Sequence, residues 1–97
     1  MKVITLCGST KFEDKYREIN AKLTLEGHVV ISCGVFNYKN PDKEEKRDVL
    51  QAVHRQKILM ADEIFIINVG GYIGKHTQEE IAYAHKQGIP IKYLEKQ

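Results

Sequence analysis

Asp62-Glu63-Ile64-Phe65-Ile66-Ile67-Asn68-Val69-Gly70-Gly71 sets four large apolar side chains in a row and stops them with two glycines. A strand with one wet face alternates, whereas a run that is apolar at every position marks a strand covered on both faces. Such strands sit at the centre of parallel sheets, and parallel neighbours need a crossover between them, usually a helix. The chain outward from 64–67 supplies this pattern. Residues 2–7 and 28–33 are short runs rich in β-branched side chains, and 90–94 is a last short strand. Residues 11–26 place Phe12, Tyr16, Ile19, Leu23 and, less regularly, Leu25 near helical spacing and close at Gly27. A second helix is expected over about 44–61, with Val49, Ala52, Val53, Gln56, Leu59 and Met60 as its apolar stripe. A third over 77–87 closes at Gly88, and 34–43 reads as a loop.

Strands alternating with helices, joined by right-handed crossovers, predict an α/β fold. The expected form is a small, open, doubly wound parallel sheet, flavodoxin- or Rossmann-like, of order 2-1-3-4 with helices on both faces. Residues 1–97 are long enough for one such domain. Ligands of these sheets bind outside the carboxyl ends of the strands, where the strand order reverses. That singles out the stretches 8–11, 34–43 and 68–77.

The composition removes several classes of function. A net charge of +2, with basic and acidic residues interleaved as in Lys43-Glu44-Glu45-Lys46-Arg47-Asp48, argues against a nucleic-acid polymer as partner. No apolar run approaches the length of a membrane span, and the first residues turn quickly into glycine and a charged helix, unlike a signal peptide. A cytoplasmic location is the expectation. Cys7 and Cys33 are the only cysteines and read as small buried thiols rather than a redox or metal pair. No metal-ligand spacing and no Ser/His/Asp order is legible, so neither a metal nor a cofactor is expected.

Two turns carry the chemistry-bearing residues. Cys7-Gly8-Ser9-Thr10-Lys11-Phe12 joins a strand to a helix. Gly8 lets the backbone approach a ligand, while Ser9, Thr10 and Lys11 offer donors and a charge to an anion, or Ser9 or Thr10 simply caps the helix. The second turn, 68–80, holds Gly70, Gly71 and Gly74. Thr77 and Glu80 there have the spacing of a capping box, and the alternative is a Glu80 aimed into the pocket as a nucleophile or base. Of the two histidines nearby, His76 lies in the glycine turn and His54 on the second helix beside its apolar stripe.

With Cys7-Gly8-Ser9 and Phe12, with Ala61-Asp62 ahead of 63–68, and with Glu80-Ile81-Ala82-Tyr83-Ala84 followed by Gly88-Ile89-Pro90, the chain resembles the nucleoside 2-deoxyribosyltransferase-like superfamily. That superfamily includes the 2′-deoxynucleoside 5′-monophosphate N-glycosidases. The resemblance implies that Glu80 attacks the anomeric carbon of a deoxyribose, the base leaves, and a second base or water takes the sugar. Relatives carry an aspartate eight residues before that of "Ala-Asp" to assist the leaving base, and His54 stands there in this chain. Relatives also continue through another helix and strand beyond the fourth strand and complete their sites across a subunit contact.

The leading expectation is N-glycosidic bond cleavage or deoxyribosyl transfer on a deoxynucleoside or its monophosphate. Glu80 and His54 would be the catalytic pair. Gly8, Ser9, Thr10 and Lys11 would hold the 5′ end, Asn68, Gly70 and Gly71 the sugar, and Phe36 and Tyr38 the base. A non-catalytic nucleotide-binding or sensing module is the alternative, and a ligand-free structural domain the third reading. A homodimer or larger assembly is expected, because a terminal strand at a sheet edge leaves pairing groups uncovered in a small domain.

Overall fold

The computed structural model describes residues 1–36 and 45–97, so Tyr38 lies outside the described residues. Its elements are β1 (Val3–Gly8), α1 (Glu13–Leu25), β2 (Val29–Ile31), α2 (Arg47–Leu59), β3 (Glu63–Ile67), α3 (Lys75–Lys86) and β4 (Ile91–Tyr93). Short 3-10 turns, Thr10–Phe12 and Val69–Gly71, follow β1 and β3. The sheet is parallel throughout and its order is β2-β1-β3-β4, the doubly wound arrangement expected.

Alternation along β1 divides the core in two. Ile4 and Leu6 face α1 and pack with Tyr16, Ile19, Leu23 and Ile67. Cys7 faces the other way, where Ile58 of α2 and Ala84 of α3 meet Ile64 and Ile66. β3 is buried along most of its length, because strands lie on either side and helices on both faces. Polar anchors fix where it enters the sheet. Asp62 Oδ2 accepts the Val3 N–H at 2.7 Å, and Lys2 Nζ pairs with the buried Glu63 at 2.8 Å. At the other end Gly8 lies against β3. A Cβ there would fall 2.8 Å from the Ile67 carbonyl oxygen, and φ is +150°, so only glycine fits.

Three local expectations are corrected. The second strand is not a buried run: it is a three-residue edge strand with Val29 exposed. The outer stripe of α2 is not core: Val49, Val53 and Met60 are 56%, 47% and 59% exposed, and Ala52, Gln56 and Leu59 also face out. The face turned to the sheet holds Leu50, His54, Lys57 and Ile58 instead. Finally, α3 begins at Lys75 with Gly74 as its N-cap, two residues before the expected start. Among the described residues, no helix is long and apolar enough to cross a membrane.

Candidate functional site

A cavity of about 570 Å³ opens at the carboxyl end of β1, between the turn after that strand and the inner faces of α2 and α3. It lies where β1 and β3 run side by side while their chains depart to opposite faces, the reversal point of the strand order. Gly8, Ser9 and Thr10 form one wall, Leu50 and His54 a second, and Gly74, Thr77 and Glu80 a third.

Glu80 is free of the capping role that its spacing allows. Because α3 starts at Lys75, Thr77 lies inside the first turn and is buried, and no side chain caps the helix. Glu80 sits more than a turn into α3 with its carboxylate turned inward, and Oε2 lies 3.3 Å from His54 Nε2. The same nitrogen is 3.3 Å from Cys7 Sγ. His54 and Glu80 are both largely shielded, with side chains 19% and 24% exposed, whereas Cys7 is wholly buried beneath them. Burial, and then the charge of Glu80, raises the Cys7 thiol well above its ordinary pKa, which leaves it protonated at neutral pH. His76, placed in the glycine turn, is exposed at the cavity rim and is not the histidine that meets Glu80. Glu79 also reaches the cavity, but as an exposed rim residue.

Tyr16 fixes the Gly8 turn by donating its hydroxyl to the Gly8 carbonyl at 2.8 Å. Burial raises its phenol strongly, with Cys7, Cys33 and Glu80 adding to the shift, so the hydroxyl stays a donor. Ser9 is both a cap and a wall: its Oγ accepts the Lys11 N–H at 3.3 Å. The lining also carries the cationic side chains of Arg47, Arg55, Lys57 and Lys75 and the carboxylates of Glu79 and Glu80.

The remaining expected site residues lie apart from the cavity lining. Lys11 turns outward, with Nζ 3.7 Å above the ring of Tyr72. Phe36 packs edge-on against Tyr16, ring centroids 5.0 Å apart, and joins the α1-side core. Asn68 is fully buried, donating to the Glu95 carbonyl at 2.9 Å and accepting the Glu95 N–H at 2.8 Å. Gly70 donates its N–H to the Glu95 carboxylate at 2.7 Å. The left-handed φ values of Gly70 and Gly71, 64° and 79°, are those of the turn that presents this clamp. The sequence reading missed Cys7, Thr77 and Arg47. Alternation in β1 directs Cys7 to the α2 side, but its meeting with His54 and Glu80 depends on packing from three separate elements.

Comparison with family models, with curated proteins and with solved structures gives no match for this chain.

Proposed function

We propose that the protein cleaves the N-glycosidic bond of a 2′-deoxynucleoside 5′-monophosphate, or transfers its deoxyribosyl group. The observation that carries this reading is a shielded carboxylate, Glu80, held 3.3 Å from His54 in a cavity at the strand ends. In the first step a Glu80 oxygen bonds to the anomeric carbon as the C–N bond breaks. The bond's electron pair stays on the base nitrogen, which takes a proton from the imidazolium of His54. In the second step water attacks the same carbon, its proton returns to His54, and Glu80 leaves as a carboxylate. A second base in place of water gives transfer. Four cationic side chains against two carboxylates favour an anionic substrate, hence the monophosphate over the nucleoside. The direct experiment is incubation with each deoxynucleoside and deoxynucleoside monophosphate, read as free base.

Binding is measurable apart from turnover. Deoxynucleoside monophosphates are expected to raise the melting temperature progressively with concentration, about 4–8 °C for each kcal/mol of binding linkage in a domain of this size. Arg47→Ala, at the cavity, should reduce that rise, while Lys11→Ala, stacked on Tyr72, should leave it intact. The nucleotide-sensing alternative keeps this result and lacks base release. No shift at millimolar nucleotide would remove the premise of both.

The domain is also proposed to pair with a second copy of itself through the outer stripe of α2, where Val49 and Met60 lie exposed and Val53 reaches the cavity edge. The inner side of the same helix lines the cavity, so pairing there would bring a second copy near its mouth. Sedimentation equilibrium should show a dimer for the parent chain and a folded monomer for Val49→Asp. A parent chain that stays a folded monomer at high concentration refutes the pairing.

A further inference from the structure

We propose that Cys7, His54 and Glu80 form a binding site for a divalent cation of the zinc class, with its fourth coordination position open to the cavity. The three residues come from β1, α2 and α3, and one ligand atom of each lies within 4.8 Å of the other two. Zinc bonds of about 2.0–2.3 Å in a tetrahedron set neighbouring N, O and S ligands about 3.3–3.6 Å apart. The Cys7–His54 and His54–Glu80 separations are both 3.3 Å, so two edges of the tetrahedron already stand at that length. The third edge closes by a movement of the Glu80 side chain, the most exposed of the three.

The chemistry of the set matches the geometry. One thiolate, one imidazole and one carboxylate make a borderline-soft donor group, suited to Zn²⁺ or Co²⁺ and poorly suited to Mg²⁺ or Ca²⁺, which take oxygen. His54 Nε2 faces a sulfur and a carboxylate oxygen at once, yet it carries at most one hydrogen. A cation in place of that hydrogen satisfies both neighbours. On binding, the Cys7 thiol gives its proton to solvent and Sγ becomes the anionic ligand. Three protein ligands and one open position is the pattern of a site that exchanges water for a ligand atom, rather than of a closed structural site. His54 and Glu80 line the cavity from which that position is reached, and Cys7 lies below them.

This site does not rest on the glycosidase reading, but it bears on it. A Glu80 oxygen bound to a cation is withdrawn from attack at the anomeric carbon, so metal occupancy would silence base release. Titration with Co²⁺ under reducing conditions separates the two. The expected result is a near-ultraviolet sulfur-to-cobalt charge-transfer band that saturates at one equivalent and is erased by Zn²⁺. Cys33, whose Sγ is directed at the Val35 carbonyl 3.3 Å away, is the internal control. The band should survive Cys33→Ser and vanish in Cys7→Ser. His54→Gln and Glu80→Gln should each weaken binding by about tenfold or more. No band in the parent chain, or a band that survives Cys7→Ser, overturns the proposal. Base release from the metal-free protein is a separate readout, and its absence would count against the glycosidase reading alone.

Discussion

Glu80→Gln is expected to eliminate release of free base from deoxynucleoside monophosphates, by about a thousandfold or more, while the variant still binds nucleotide and melts near the parent temperature. The loss is large because the amide cannot form the covalent ester, and removing a nucleophile collapses the whole sequence of steps. Glutamine keeps the size of the side chain and its place on α3, so the fold has no reason to suffer. Glu79→Gln supplies the contrast. It stands one residue away, about 100° around the helix, on the exposed rim rather than against His54. It should retain most of the activity. A dead Glu79 variant beside a live Glu80 variant would move the reacting centre off the inner face of α3 and defeat the mechanism.

Ile58→Ala should cost about 2–5 kcal/mol, out of a total near 5–15 kcal/mol for a domain of this kind. Ile58 is wholly buried against Ile64, Ile66 and Ala84, and truncation leaves a cavity between α2 and the sheet. Val53→Ala, on the opposite side of the same helix and 47% exposed, should change stability by about 0.5 kcal/mol or less in dilute protein, where pairing plays no part. Urea unfolding midpoints of the two variants decide which face of α2 is inside. A larger loss from Val53→Ala would reverse the orientation of the helix.

That comparison also marks where the sequence stops being readable. The central strand declares itself, because Ile64–Phe65–Ile66–Ile67 has no polar position and only a doubly covered strand tolerates that. Sheet order follows from the alternation of strands and helices. α2 misleads because periodicity registers apolar side chains, and the face of α2 turned inward mixes Leu50 and Ile58 with the polar His54 and Lys57. Thr5 Oγ1 donates to the Lys57 carbonyl at 2.8 Å, Lys57 Nζ donates to the Ser32 carbonyl at 2.9 Å, and His54 meets Cys7 and Glu80. A helix that builds a site hides its chemistry on the side where hydrophobic counting expects valine. Glu80 was legible as a candidate and undecided between cap and pocket. Helix α3 resolves it by starting at Lys75, and Thr-x-x-Glu spacing alone cannot report where a helix begins. Asn68, Gly70 and Gly71 drew attention for their cost in backbone entropy, which the turn and its clamp on Glu95 account for.

The pairing of β1 with β3 imposes an order on the birth of the molecule. β1 is made well before the strand with which it shares its longest register, which begins only at Glu63. At about 5–20 residues per second, synthesis of the intervening chain takes on the order of 3–11 s. Early in that interval α1 can already shelter Ile4 and Leu6, whereas the other side of the strand, where Cys7 points, waits for α2 and then α3. A thiol sealed in the finished protein is therefore exposed to oxidant and alkylating agent in the nascent one. A pulse of maleimide during translation should label Cys7 in chains arrested before residue 47, where α2 begins, and spare it in completed ones.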